Sequence, residues 1–577
     1  MKVSRKDVFR ASLLLGLTLL LNFSVLSGNW RWDDPQVLLH LHQYAIIDDF
    51  TNPQAWQQFS PANLTPWLIL SFESDLTLFG MNPSAFYLHQ LLALAAAAIT
   101  LYLCMTLWIG RNFAFFGAGL FLLGAPSQLV TEQLMTRHYI EGLVFTLLSL
   151  YLFVRYLRIG SKSLLAGSAV FYVLAITAKE IYVPLLLLLP FLPESVWRQR
   201  LRATVPFIII AAGYTMWRAY MLGTLSGGYV ESSAYLNSAF IIDVLQSFAR
   251  FPELLAGGLW PVVVIVYLLM IGFYAVLARS WLGLVLLCAA LVLIPLIPLV
   301  SSPGISSPDR YLLLLWVVLS FSLAFLADRL IKIFTDLNRA APIVLVYAAL
   351  PLLLIISLFH GVGARQAVAA VAEEFDVQAQ FIWAEDASTA FIPSDTLLPS
   401  FWFFTGLQQL KERLLTQSSP RPMVDAIYLD YSVSELWQLD KDCMCMREIS
   451  ESIPDRIAAH QQRLARQAPL WLKFDYQNGY FSWQFGPYDI GPYDIGPYDI
   501  GPYYIGPYDI EPYDNGVYHV VSDVIGVIPA PAAGRVRVTL PDNAPFYLRY
   551  TSPEGWVAYS TLQHILHDAA AVNWLRD

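Results

Sequence analysis

Two adjacent carboxylates, Asp33 and Asp34, follow directly on the first hydrophobic segment, in Asn29-Trp30-Arg31-Trp32-Asp33-Asp34-Pro35-Gln36. Pro35 suits the first turn of a helix, where its missing N–H is one the helix leaves unsatisfied anyway. Val37, Leu38, Leu41 and Ala45 then fall on one face, as in an interfacial helix. A carboxylate held at a membrane–water boundary is placed to take a proton from an acceptor hydroxyl. The competing role, above all for Asp34, is a helix cap, which aspartate fills well. A second polar set lies further on: Glu73, Asp75, Glu132, Arg137, His138, Lys179, Glu180, Arg218, Asp309 and Arg310. Gathered over one face of a helix bundle, its cations would bind a phosphate and stabilise charge growing on a leaving group. For any single Arg or Lys of the set the alternative is snorkelling from a helix end. Lys179-Glu180, in a tight turn between two apolar runs, fits that alternative least well.

The elements that must position these residues are membrane spans. The chain has 577 residues, of which 56% are hydrophobic and 14% charged, with a mean hydropathy of +0.52. That composition excludes an ordinary soluble protein, and several apolar runs reach the roughly 20 residues needed to cross a bilayer. A net charge of −9 gives no support to nucleic-acid binding. Spans are expected near 10–27, 86–108, 112–129, 140–158, 163–178, 181–194, 203–222, 254–277, 281–299, 310–327 and 342–359, about eleven in all. The first is read as an uncleaved span, because Asn22 to Gly28 makes a weak cleavage site. With Lys2, Arg5, Lys6 and Arg10 cytoplasmic, the other inner loops hold Arg111, then Arg155, Arg158 and Lys162, then Arg198, Arg200 and Arg202, then Arg279, then Arg329, Lys332 and Arg339. Every basic cluster lands inside, so the carboxylates and cations singled out above face out. Few charges lie within the spans, so no proton or ion path is apparent.

The fold expected is therefore an α-helical polytopic membrane protein, with residues 1–360 as the membrane module and 361–577 as an exported α+β, β-rich domain. In the tail, 364–384 has helical periodicity, while Trp471 to Tyr476, Arg535 to Leu540 and Phe546 to Tyr550 alternate as strands do. A low-complexity run at 486–515 repeats Gly-Pro-Tyr-Asp-Ile with period five, and such Pro and Gly spacing sustains neither helix nor central strand. Its Asp489, Asp494 and Asp499 lack the varied oxygen ligands of a calcium cage, so the run reads as an expanded surface loop offering Tyr and Pro for stacking. Of four cysteines, Cys104 and Cys288 sit in apolar runs, and Cys443 and Cys445 are spaced for a strained disulfide at best. His40 and His42, two apart on a helix, do not share a face and make a poor metal pair, expected at the surface.

Several stretches, in order, resemble the GT-C superfamily of polytopic glycosyltransferases, in particular the group of protein O-mannosyltransferases that includes the tetratricopeptide-linked enzymes. Trp32-Asp33-Asp34-Pro35 is similar to that group's aromatic-x-Asp-Asp signature, and Phe59 to Phe72 followed by Leu78 to Phe86 resembles its next run. Ala125-Pro126 to Glu132 is similar to a His-Pro…Glu element, with Ala in place of His and Glu two residues further on. Ala178-Lys179-Glu180 to Pro184 resembles its Lys-Glu…Pro turn, Met216 to Gly223 its Arg…Leu-Gly element, and Pro308-Asp309-Arg310-Tyr311-Leu312 its acidic-Arg-Tyr-Leu motif. The resemblance covers residues 10–330, and the tail does not resemble tetratricopeptide repeats.

The resemblance implies transfer of a sugar, with inversion, from a polyprenyl-phosphate donor to an acceptor on the outer face of a bacterial plasma membrane. The acceptor would be an exported protein, a glycan or a lipid. It implies Asp33 as base with Asp34 assisting or fixing its helix, and Lys179, Arg218 and Arg310 on the donor phosphate. Glu132, Arg137, Glu180, Asp309 and Tyr311 would line the cleft. No cofactor is required by these residues, and a divalent metal stays open because some members of the superfamily use one. Two other readings compete. One is a non-catalytic flippase or assembly partner for surface polysaccharide, which would favour charges along a transmembrane path. The other is a receptor or assembly factor whose tail matters and whose Asp33 is structural.

Overall fold

In the computed structural model, residues 4–60, 62–223, 238–277, 297, 299, 305, 307–430, 433–464, 470–477, 480–487, 516–530, 533–537, 540 and 543–565 are described. The chain is mostly helical and divides into two units. The first comprises Met1–Asn29, Tyr44–Trp56 and Ala62–Ala372, and the second Trp30–Gln43, Gln57–Pro61 and Glu373–Asp577. The division at 372/373 lies within one long helix, Ala340–Ala384, which runs straight through the boundary expected at 360.

Among the described residues of the chain, seven helices are long and apolar enough to cross a membrane: Arg5–Ser27, Pro83–Met105, Leu134–Ile159, Trp197–Leu222, Phe240–Leu277, Arg310–Asp336 and Ala340–Ala384. Three shorter apolar helices, Arg111–Leu123, Lys162–Ala178 and Glu180–Phe191, fall on the expected spans 112–129, 163–178 and 181–194. The expected span 281–299 lies almost wholly outside the described residues. Glu180–Phe191 is wound as 3₁₀ helix, and Pro184 and Pro190 within it each remove a donor that an α-helix would use.

Local chemistry starts and stops these helices. Ser4 and Asp7 form a reciprocal capping box at the start of Arg5–Asn22. Pro66 and Pro83 open their helices in the first turn. Gly223 ends Trp197–Leu222 in the left-handed region, at φ +71°, where a residue with a Cβ would be strained. Within the first unit the alanine-rich middle of Pro83–Met105 lets Arg5–Asn22, Arg111–Leu123 and Arg137–Ile159 approach closely. Ser149 and Ser168 lock Arg137–Ile159 to Lys162–Ala178 by exchanging hydrogen bonds with each other's backbone carbonyl, at 2.8 and 2.7 Å. Large apolar side chains remain exposed on the outward faces, among them Val276 at 83% and Phe359 at 75%. A membrane protein turns such surface to lipid.

The second unit holds strands β1 (Thr389–Ile392), β2 (Arg421–Pro422), β3 (Glu435–Asp440), β4 (Cys445–Glu448), β5 (Leu470–Gln477), β6 (Tyr480–Pro487), β7 (Val517–Ser522), β8 (Gly526–Ala530), β9 (Ala533–Arg537), β10 (Pro545–Thr551), β11 (Val557–Tyr559) and β12 (Gln563–His564). They form sheets ordered β2-β1-β3-β4, β11-β10-β7-β8 with β12 on β10, and β5-β6-β9. β1 runs parallel to β2 and β3, and the remaining pairs are antiparallel. The strand character read from alternation at 471–476 and 546–550 is realised in β5 and β10; of the expected 535–540, residues 535–537 belong to β9, 538–539 lie outside the described residues and Leu540 is not in a strand. A core of Phe375, Phe381, Phe391, Phe401, Phe403 and Phe404 joins helix Leu398–Leu415 to the sheets.

All but Gly486 and Pro487 of the period-five run lies outside the described residues, between β6 and β7, which belong to different sheets. Removing one to four of the five-residue units from 491–510 is expected to leave the thermal midpoint of the purified protein within about 2 °C, because the cost of closing a connection rises only slowly with its length. A differential scanning measurement on the full chain checks this.

Candidate functional site

The site is built in the first unit, where three chain segments end close together. Lys179 follows the last residue of Lys162–Ala178, and its extended backbone breaks the helix before Glu180 begins the next element. Arg218 lies in the last turns of Trp197–Leu222. Arg310 opens a single turn, Arg310–Leu312, that leads into Leu313–Asp336 and is capped by Asp309, whose carboxylate accepts from Tyr311 N at 3.0 Å.

Glu180 fixes Arg218. Its Oε1 accepts from Arg218 Nε at 2.9 Å and from Leu64 N at 2.8 Å, while Tyr214 donates to Leu64 O at 3.0 Å. Arg310 donates to Gln133 Oε1 at 3.2 Å and lies over its neighbour's ring, 4.8 Å from the centroid of Tyr311. Tyr311 meets Tyr139 edge to face, and on the Tyr139 ring rests Lys179 Nζ, 4.9 Å from the centroid. Tyr182 holds the Tyr139 segment by donating to its carbonyl oxygen at 2.5 Å, and its ring occupies the space where a Cβ on Gly142 would stand.

Lys179 is 7% exposed, and among the described residues no carboxylate is paired with it. A buried ammonium without a counter-ion is costly unless its site exists to receive an anion. Arg310 and Arg218 lie close enough to act on it electrostatically, and Lys179 and Arg310 both act on His138. His138 is buried too, and its Nδ1 has no hydrogen-bond partner. Arg218 is paired with Glu180 and Arg310 lies 3.7 Å from Asp309, so Lys179 is the cation of the three without a paired carboxylate among the described residues, and it sits with His138 beside two tyrosine rings, which suits an anion joined to a bulky group.

Burial lowers the Lys179 pKa from 10.5 to about 8; the charge of Glu180 opposes this, and Arg310 and Arg218 add to it. Only the protonated amine binds an anion strongly. Anion affinity is therefore expected to be flat below about pH 8 and to fall up to tenfold per unit above it. Folding stability should move the other way. Between about pH 8 and 10.5 the unfolded chain holds a proton that the folded chain has lost, so stability rises with pH there. Titration of phosphate-analogue binding beside thermal melts over pH 6 to 10 reads both slopes.

The other sequence-singled residues lie elsewhere. Arg137 is fully buried: it donates to Phe86 O at 2.8 Å and Ser71 Oγ at 3.3 Å and pairs with Asp75. Its guanidinium also faces the rings of Phe72 and Phe86. His89 joins this group with Nδ1 2.8 Å from Asp75 and Nε2 3.3 Å from Glu141, and Glu141 accepts from Trp67 and Ser71. The helices thus enclose an ionisable network that the low charge of the spans had not led us to expect. Glu132 is buried, with Arg365 Nε at 4.0 Å, and it is the neighbouring Gln133 that reaches Arg310.

Asp33 and Asp34 belong to the second unit. Asp34 is fully buried, and its carboxylate accepts from Arg31 N at 3.0 Å, bracing the turn that starts helix Asp34–Gln43. Asp33 is half-buried, and its carbonyl accepts from Gln36 N and Val37 N. The helix is anchored by Arg31 on Asp376, at 3.0 and 2.7 Å, and by Gln36 on Trp402 O at 2.8 Å. Val37 and Leu38 are buried as expected, whereas Ala45 lies beyond the helix end and is exposed. His40, expected at the surface, is buried against the ring of Phe59. Among the described residues no three His, Cys, Asp or Glu side chains are grouped to hold a metal ion, so no chemical step is assigned to one.

Sequence reasoning gathered His138 without giving it a role, and it missed Gln133 and Tyr139. A loop carrying Glu132, Gln133, Arg137, His138 and Tyr139 within eight positions is the signal that was available. No protein-family model matches this chain, and no characterised protein matches it in sequence.

Proposed function

We propose that the protein is a membrane glycosyltransferase that moves a sugar, with inversion, from a polyprenyl-phosphate donor to an extracytoplasmic acceptor, either a protein hydroxyl or a cell-surface glycan or lipid. The observation that carries this reading is Lys179, buried and without a paired carboxylate among the described residues, flanked by Arg218 and Arg310 and resting on Tyr139. Lys179, with the paired cations Arg218 and Arg310 close to it, would offset the charge of a phosphodiester in the ground state and the added charge on the departing lipid phosphate. His138 supplies a further uncharged or charged contact in the same place. The ordered resemblance to GT-C enzymes adds the fold type and residence in a bacterial plasma membrane, and the apolar runs and basic clusters of the sequence add about eleven spans, a cytoplasmic N-terminus and an exported tail. Asp33 is assigned the base from the sequence pattern, and the bracing of its helix by Asp34 supports that division of labour.

One observation favours transport or assembly instead. The Arg137, Asp75, His89 and Glu141 network crosses three helices, as a proton or ion path would. Its members are each partnered within the network, which fits a structural clamp better than a conducting path.

Mass spectrometry of surface glycans and exported proteins separates these readings. Cells lacking the gene and cells carrying Asp33→Asn should both lose one sugar-sized mass increment. Loss in the deletion alone, with Asp33→Asn correctly inserted and fully active, would remove Asp33 from catalysis and favour assembly.

A further inference from the structure

The hairpin β3–β4 carries a feature that sugar transfer does not use. Asp440 pairs with Cys445 at the end of its ladder, and the turn between them contains Cys443, which is bonded to Cys445 across a single residue, with a Cα–Cα separation of 5.3 Å. Both cysteines are exposed. Within this ring, at the last position of the hairpin turn, Met444 stands at φ +47°, in the left-handed region where a side chain costs free energy. A disulfide that staples a fold is normally buried and links distant segments. This one links neighbours, and the ladder of β3 with β4 already holds the hairpin closed. Two basic side chains stand on either side in sequence, Lys441 and Arg447, paired with Glu374 at 2.7 Å and Asp440 at 3.0 Å.

We infer that Cys443–Cys445 is a thiol–disulfide exchange site, open to a dithiol partner in the compartment that the tail occupies. A partner thiolate attacks one exposed sulfur, the S–S bond breaks, and the other cysteine leaves as a thiolate that takes a proton from water. The partner's second thiolate then displaces the mixed disulfide. Two electrons and two protons pass to the protein, giving two thiols, and the partner leaves as its own disulfide. Opening the ring removes one of the two constraints, bridge and ladder, that hold Met444 in the left-handed region, which favours the reduced state, and the exposure of both sulfurs makes either one accessible to attack.

The test uses the full chain in detergent, equilibrated in mixtures of reduced and oxidised glutathione and then counted for free thiols by maleimide mass-tagging. The double variant Cys443→Ser/Cys445→Ser subtracts labelling of Cys104 and Cys288. The pair is expected to pass from bridged to open within the glutathione range, where ordinary structural disulfides stay bridged. Met444→Gly, which takes φ +47° without strain, should shift the midpoint about tenfold toward the bridge. A pair that stays bridged in the most reducing mixture, or open in the most oxidising one, would overturn the inference. So would an unshifted midpoint in Met444→Gly, because the release of that residue is what poises the site.

Discussion

Replacing Lys179 by Met is expected to lower sugar transfer by about 10²- to 10³-fold, the loss typical when one preorganised charge donor is removed from a site of charge development. The protein should fold at least as well as before. Lys179 is buried without a paired carboxylate among the described residues, so substitution by an apolar chain of similar length removes a desolvated charge rather than an ion pair. A residue kept for structure behaves oppositely, losing stability and activity together. Lys179→Arg should recover little, since a planar guanidinium in place of the ammonium over Tyr139 disturbs both the ring contact and the pocket volume. Turnover of a polyprenyl-phosphate sugar by purified variants, beside their thermal midpoints, gives both numbers. Loss of stability in Lys179→Met would assign the residue to the fold.

Arg137→Met is expected to act through stability, at a cost of about 3–5 kcal/mol, because it leaves Asp75 buried without its cation and perturbs the balance with His89 and Glu141. In cells this should show as low abundance in the membrane. The double variant Arg137→Met/Asp75→Asn removes the stranded charge with its partner and should regain a large part of the loss. Chemical denaturation in mixed micelles measures the difference. If the single variant is stable and merely inactive, Arg137 contributes to the cleft that the sequence resemblance implied.

These contrasts show where the sequence was legible. Membrane helices announce themselves because about twenty apolar residues in a row have few other uses, and Pro83–Met105 could be placed within a few residues, whereas Arg310–Asp336 was placed at its start but runs on past the expected end at 327. Strands β5 and β10 followed from alternation at 471–476 and 546–550, and each extends a residue further at both ends. Lys179, Glu180, Arg218 and Arg310 were also recognisable, because polar residues at the ends of apolar runs are few. Their division of labour was not. That Glu180 is spent on Arg218 and Leu64 N, while Lys179 has no paired carboxylate among the described residues, depends on which helix ends meet. Arg137 and Asp75 looked like loop residues near the spans, yet they lie 62 positions apart and are joined only by packing.

The stretch after the first span was misleading for a related reason. Trp30 to Gln43 follows a membrane helix in sequence, so it reads as part of the membrane module. Its partners Asp376 and Trp402 come 345 and 366 residues later, beyond the reach of local pattern. In the fold the docking is close enough that a Cβ on Gly406 would collide with the Gln36 side chain.

The central claim is that the cations around Lys179 hold a lipid-linked phosphate. Native mass spectrometry of the purified protein with a polyprenyl monophosphate tests it most directly. The account predicts one lipid bound per chain, lost in Lys179→Met and weakened above about pH 8. Equal binding by the variant, with no dependence on pH, would contradict it.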